Sequence, residues 1–158
     1  MTNYSLFQVS GKVQVVTNSS INNGISGYTK LSPTEKGGIV TYSDTTTSEG
    51  IFFQPDDFVG YSHVQGVYPI NKNEWNEKTL LFFVSTFRKS AGGRFDYANK
   101  FNRNIAKVMN ISLPSNENGK INYNLMEAYI RAIEKKVIKN VVDWKDAVIA
   151  KTKEVVKQ

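Results

Sequence analysis

The side chains best equipped for chemistry in this chain are cations, amides and hydroxyls. Between Arg88 and Lys107 six basic residues, Arg88, Lys89, Arg94, Lys100, Arg103 and Lys107, face one acid, Asp96. Phe95, Tyr97 and Phe101 interleave with them. Two polar runs add directional donors and acceptors: Asn18, Ser19 and Ser20 with Asn22 and Asn23, and the stretch from Ser43 to Ser48 that contains Thr45 and Thr46. Cations neutralise phosphates, arginine can pair bidentately with guanine, and amides and hydroxyls read base edges or bridge through water. These residues are therefore the candidates for a duplex-DNA surface: Arg88, Lys89, Arg94, Tyr97, Lys100, Arg103, Asn18, Ser20, Asn22, Thr45 and Thr46. The plainer alternatives are a solvated basic loop, ordinary turns, and a core role for Phe95 and Phe101. Gly92 and Gly93 let the backbone bend beside the arginines, but the Lys-Ser/Thr ending of a phosphate-cradling P-loop is missing.

Residues for catalysis are scarce. The chain has no cysteine and one histidine, His63, which leaves no disulfide, no thiolate zinc site and no cysteine nucleophile. We expect no metal site and no cofactor. Pro55-Asp56-Asp57 faintly resembles the start of a metal-dependent nuclease motif, with Glu134 or Asp143 as the later acid. A turn after Pro55 and the charged face of a helix account for the same residues. His63 reads as a turn or DNA-proximal residue, and no glycine-rich loop or Asn/Asp-Pro-Pro-aromatic motif for methyl transfer is present.

The net charge of +6 is unevenly spread. Residues 1–70 carry three Lys against five acids, whereas 71–119 carry eight basic residues against four acids and 120–158 nine against five. The positive field thus belongs to the second half, which makes nucleic acid a natural partner to test, with a basic surface that serves solubility as the equal alternative. Met1 to Gln14 has one basic residue, Lys12, and no apolar run of the ~7–15 residues a secretory signal needs. No stretch approaches the ~18 apolar residues of a membrane span, so a cytoplasmic location without a membrane partner is expected.

Stepping along the chain, residues Leu6 to Pro69 read as short strands. Phe7 to Val16 alternates, Asn22-Asn-Gly24 is a turn, and Ile39–Tyr42, Ile51–Phe53 and Val64–Tyr68 are β-branched or aromatic runs. From Glu74 to Phe87, apolar residues at three- and four-residue intervals predict an amphipathic helix. Ile111 to Pro114 reads as an apolar strand stopped by proline, and Ser115 to Gly119 as a loop. After Asn122, a helix cap, Leu125 to Val156 contains neither Gly nor Pro and predicts one helix of roughly 45–50 Å. Ile130, Val137 and Trp144 recur every seven residues, as do Val141, Val148 and Val155; with Ile133 they form a helix-packing seam. Folding of the helix back over the sheet is the alternative. Two parts follow: a β-rich globular unit over 1–121 and a spacer or dimerisation helix over 122–158, an α+β architecture.

In that order, Thr17 to Tyr28, Gly38 to Tyr42, Phe52 to Phe58, Ile111 to Pro114 with Gly119, and Asn124 to Ile130 resemble the target recognition domains of type I restriction-modification specificity subunits. Similar domains occur in restriction enzymes whose recognition domain joins, or assembles with, a methyltransferase-nuclease chain. The resemblance implies a non-catalytic DNA-reading domain followed by a long spacer helix. In complete subunits, two such units lie head to tail with antiparallel helices, and each reads half of a split target. It also implies partners: double-stranded DNA, modification and restriction subunits, and a second specificity unit. The chain carries one unit, which leaves open a half-subunit that pairs as a homodimer, a domain of a longer protein, or the partner of another half. A protein-interaction adaptor or decoy that mimics a specificity subunit is the first alternative, and a stand-alone metal-dependent nuclease the second.

Overall fold

The computed structural model describes residues 6, 11–44, 49–95 and 98–156. Two three-stranded sheets form its β-rich part. In the first, β1 (Val13–Val16) lies between β2 (Ile25–Thr29), antiparallel, and β5 (Phe58–Gly60), parallel. In the second, β3 (Ile39–Ser43) is the antiparallel centre between β4 (Ile51–Gln54) and β6 (Val64–Val67). All five residues of β3 are buried, because both faces of this central strand are covered. Val40 and Tyr42 belong to a core with Ile51, Phe53, Leu80, Val84, Phe87 and Phe101. Ile39 packs with Val16 and Phe58 in a second cluster shared with the first sheet.

The β1–β2 hairpin locks the two sheets together through polar chemistry. Asn22, Asn23 and Gly24 are successive left-handed residues, with φ of 51°, 55° and 77°, a conformation that Asn and Gly tolerate best. This aims Asn23 Nδ2 at the Phe53 carbonyl, 2.9 Å away. The fully buried Gln54 answers by donating to Asn23 O and Thr41 Oγ1, each at 3.0 Å. Every partner in this buried network is satisfied, as burial of an amide requires.

Helix α1 (Glu77–Ala91) covers one face of the second sheet through Leu80, Val84 and Phe87. It starts three residues later than the apolar spacing suggests, because Asn76 and Thr79 form a reciprocal capping box. Lys72–Glu74 is a separate 3-10 turn, and Trp75 packs against the core from outside the helix. A short helix, α2 (Arg103–Val108), capped by Asn102, occupies part of the run that leads to Ile111. The expected strand Ile111–Pro114 does not form: these residues take no ladder partner, and Ser115 makes an isolated bridge to Ile121. Ile111 is apolar because it packs on the α1 core, not because it joins a sheet. Of the predicted Phe7–Val16 strand, Val13–Val16 is observed, and positions 7–10 lie outside the described residues.

Helix α3 (Tyr123–Val156) has 34 residues, about 51 Å at 1.5 Å per residue. Asn122 Oδ1 accepts from Leu125 N at 3.0 Å, as its cap role predicts. The base of α3 is fixed to α1: Met126 is fully buried, Phe82 meets Tyr129 edge to face at 5.6 Å, Asn76 donates to Glu127 at 2.8 Å, and Lys78 pairs with Glu134 at 2.7 Å. From Lys135 to Val156 every residue is exposed. The helix therefore does not fold back over the sheet.

Candidate functional site

Topology brings part of the candidate set, Arg88 first, to the end of the second sheet where β3 leaves and β4 and β6 enter. Tyr42 pairs with Ile51, and Ser43 with Val64. The C-terminal turn of α1 reaches this end, because Arg88 Nε donates to the Ile51 carbonyl at 2.7 Å and its guanidinium lies 4.7 Å over the Phe52 ring. Partial burial there pushes the Arg88 guanidinium below its ordinary pKa. It stays charged, since arginine does not lose its proton in proteins. Arg88 is thus held as well as exposed: one nitrogen is used by the fold, and the planar cation is oriented at the sheet end.

Lys89 is exposed beside it. Arg94 Nη1 donates to the Ser90 carbonyl at 3.1 Å, and its guanidinium lies 5.7 Å from the Phe95 ring. The bend between these cations depends on both glycines. Gly93 is left-handed (φ 69°), and a Cβ on Gly92 would sit 3.0 Å from the Arg88 carbonyl oxygen. Part of the basic character of this turn suits the negative end of the helix dipole.

The remaining predicted residues divide. Asn18 and Ser20 are exposed on the β1–β2 hairpin, whose Ser19 carbonyl would lie 3.5 Å from a Cβ on Gly50 at the same sheet end. Asn22 is exposed, but its Nδ2 donates to the Ile25 carbonyl at 2.9 Å, which gives it a turn-forming role. Arg103 opens α2 and, with Lys107, borders a cleft of about 410 Å³ whose opposite bank includes Tyr42, Gln65 and Tyr68. Lys100 is exposed. Thr45, Thr46 and Tyr97 lie outside the described residues. Phe101 is fully buried against Tyr42, Phe87 and Phe95, so both phenylalanines of the basic segment are packing residues.

Three of the four acids weighed for metal chemistry, Asp57, Glu134 and Asp143, have structural work. Asp57 accepts from Lys36 Nζ at 2.7 Å and Gly37 N at 2.9 Å, closing the turn before β5. Those hydrogen bonds hold its carboxyl below the ordinary range. Glu134 anchors α3 to Lys78, and Asp143 pairs with Lys139 one turn away.

A second surface lies on the overhang of α3. Ile133, Val137, Val141, Trp144, Val148 and Val155 of the predicted seam are 43–72% exposed, whereas Ile130 is half-buried at the anchored base. A further stripe escaped the sequence reading: Ile138, Val142, Ile149 and Val156, 43–79% exposed. Its signal is the heptad spacing of 142, 149 and 156, which the stronger seam obscures. Among the described residues, no helix is long and apolar enough to cross a membrane.

No curated protein and no solved structure gives a significant match to the chain. The family model of the type I restriction modification DNA specificity domain matches residues 1–143 of the 158. The chain thus belongs to that family, the non-catalytic DNA-recognition component of type I restriction-modification systems.

Proposed function

We propose that this chain reads one half of a split duplex target with the loop end of its second sheet, and that α3 couples it to a second specificity unit. The observation that carries this reading is the pairing of two features at the two ends of α1. Arg88 is fixed at the sheet end, with Lys89 and Arg94 following it at the end of α1, and an amphipathic overhang of 22 residues, about 33 Å, with an exposed apolar seam projects from the opposite end of α1. Modification and restriction subunits dock on the assembled helices, for which the second apolar stripe supplies surface. In this reading 1–121 is the recognition unit and 122–158 the coupling helix. The partner helix is antiparallel, and two copies of this chain form the half-subunit homodimer.

Retention of a randomised duplex pool by the purified chain over a salt series tests the DNA half of the proposal. Each phosphate contact contributes about −0.9 to the slope of log affinity against log salt. Arg88→Ala, Lys89→Ala and Arg94→Ala together should weaken binding across all sequences and flatten the slope by about two to three. A chain that retains no duplex would instead be an adaptor that occupies the specificity position without reading DNA, and one whose retention is indifferent to these substitutions would bind DNA through another surface.

A further inference from the structure

His63 has no part in the site described above; it is the third residue of the turn that Val64 N closes onto the Tyr61 carbonyl, where a left-handed backbone is expected. Its backbone is left-handed at φ 70°, and its side chain is 58% exposed while Asp44, which faces it, is 17% exposed. The two residues are tied twice: Asp44 N donates to the His63 carbonyl at 3.0 Å, and Asp44 Oδ1 lies 3.0 Å from His63 Nδ1. The other carboxylate oxygen accepts from Gln65 Nε2 at 2.8 Å, so the acid itself is held from the neighbouring strand. An ionised carboxylate can only accept, hence Nδ1 carries the proton that faces it. Nε2 is then the outward atom, and in the neutral ring it is an acceptor with a fixed direction.

A brace for this turn needs one donor toward Asp44 and tolerance of positive φ, and asparagine meets both requirements without a ring. The outward nitrogen is what the brace leaves unexplained. Its position supplies the explanation. Val64, next to His63, pairs with Ser43, while Ile51, which holds Arg88, pairs with Tyr42 on the far side of β3. Two strand spacings, about 10 Å, separate them. His63 and Arg88 therefore open onto the same end of the sheet, on its two outer strands, and a duplex laid across that end would meet both. An acceptor in a groove complements an exocyclic amino group, N6 of adenine or N4 of cytosine.

We propose that His63 is a specificity-determining residue of the DNA interface, its ring pinned by Asp44 and Gln65 so that Nε2 accepts from the amino group of an adenine or cytosine. The proposal rests on the DNA-reading function above, and one experiment separates the two. In mildly alkaline buffer, bound duplexes are selected from a randomised pool by the full chain, by His63→Asn, which keeps the turn and the donor, and by Asp44→Ala, which releases the ring. Thermal melts establish that each variant is folded. The wild type should select a motif with one position restricted to adenine or cytosine on one strand. His63→Asn should relax that position about five- to tenfold, as loss of one neutral hydrogen bond implies, with the salt slope unchanged, and Asp44→Ala should relax it partly. A uniform loss of affinity across all sequences would make His63 a phosphate contact and overturn the proposal. An unchanged motif would make it a turn brace only. No retention of duplex by the wild type would overturn the DNA-reading function together with this inference.

Discussion

The projecting helix makes the most demanding prediction. Val141 and Val148 are 58% and 43% exposed, so about half of each side chain's burial energy remains to be gained in a partner. Full burial of an aliphatic side chain contributes about 1.5–3 kcal/mol, which leaves about 1 kcal/mol for each of these residues. In a symmetric pair each residue counts twice, so removing both costs the dimer about 4 kcal/mol, or roughly a thousandfold in its dissociation constant. Placing Glu at both positions adds the cost of burying unpaired charge. Sedimentation equilibrium over a concentration series compares the wild type with the Val141→Glu, Val148→Glu variant. Helix content should be unchanged in the variant monomer, since neither valine touches the body. The reasoning fails if the wild type stays monomeric at every concentration, or if the double variant dimerises with the same dissociation constant.

Other expectations concern how the recognition body is held. Gln54→Met removes the buried donor that satisfies Asn23 O and Thr41 Oγ1; chemical denaturation should show a loss of about 1–3 kcal/mol. Asn76→Ala removes the α1 cap and should cost about 1–2 kcal/mol on the same measurement. Lys36 and Gly37 hold the Asp57 carboxyl below its ordinary range, and Arg131 and Asn76 do the same to Glu127. A depressed folded pKa contributes stability above the unfolded value, near pH 4, that is lost as pH falls through the folded one. Melting temperature should therefore drop on acidification below about pH 4, and Asp57→Asn should blunt that drop; an unaltered acid limb in the variant would contradict the assignment.

Local signals carried much of this fold into the sequence. Asn122 followed by an uninterrupted heptad pattern specifies α3 because caps and periodicity act within a few residues. The β-branched runs at 39–42 and 51–53 mark the core strands for the same reason. Ile111–Pro114 shows where that logic stops. Apolar character reports burial, and here the burial is against α1 with no ladder partner. The candidate site was legible in composition but not in geometry. That Arg88 would spend one nitrogen on Ile51, 37 residues away, or that Asp44 would pin a histidine 19 residues later, depends on strand register. Register is a tertiary outcome, and single-residue spacing does not encode it.

Helix α1 relates the two surfaces. Its last turn carries Arg88 and Lys89 at the sheet end, and its cap and first turns hold α3 through Asn76, Lys78 and Phe82. Fifteen residues of helix span about 22 Å and bend little. In the proposed assembly, the distance from each reading surface to the paired helices is therefore set by α1, and the separation of the two half-sites by where along the overhang the helices engage. The long seam alone does not fix that engagement point, because heptad-spaced valines can pair in registers one heptad apart. We expect Trp144 to break this degeneracy: it is the one aromatic residue in the seam from Ile133 to Val155, and its bulk meets a different seam residue in each register. Trp144→Val should accordingly leave a dimer while loosening its register. Selected duplexes would then show two or more half-site spacings in place of one, and a single unchanged spacing would refute the role given to Trp144.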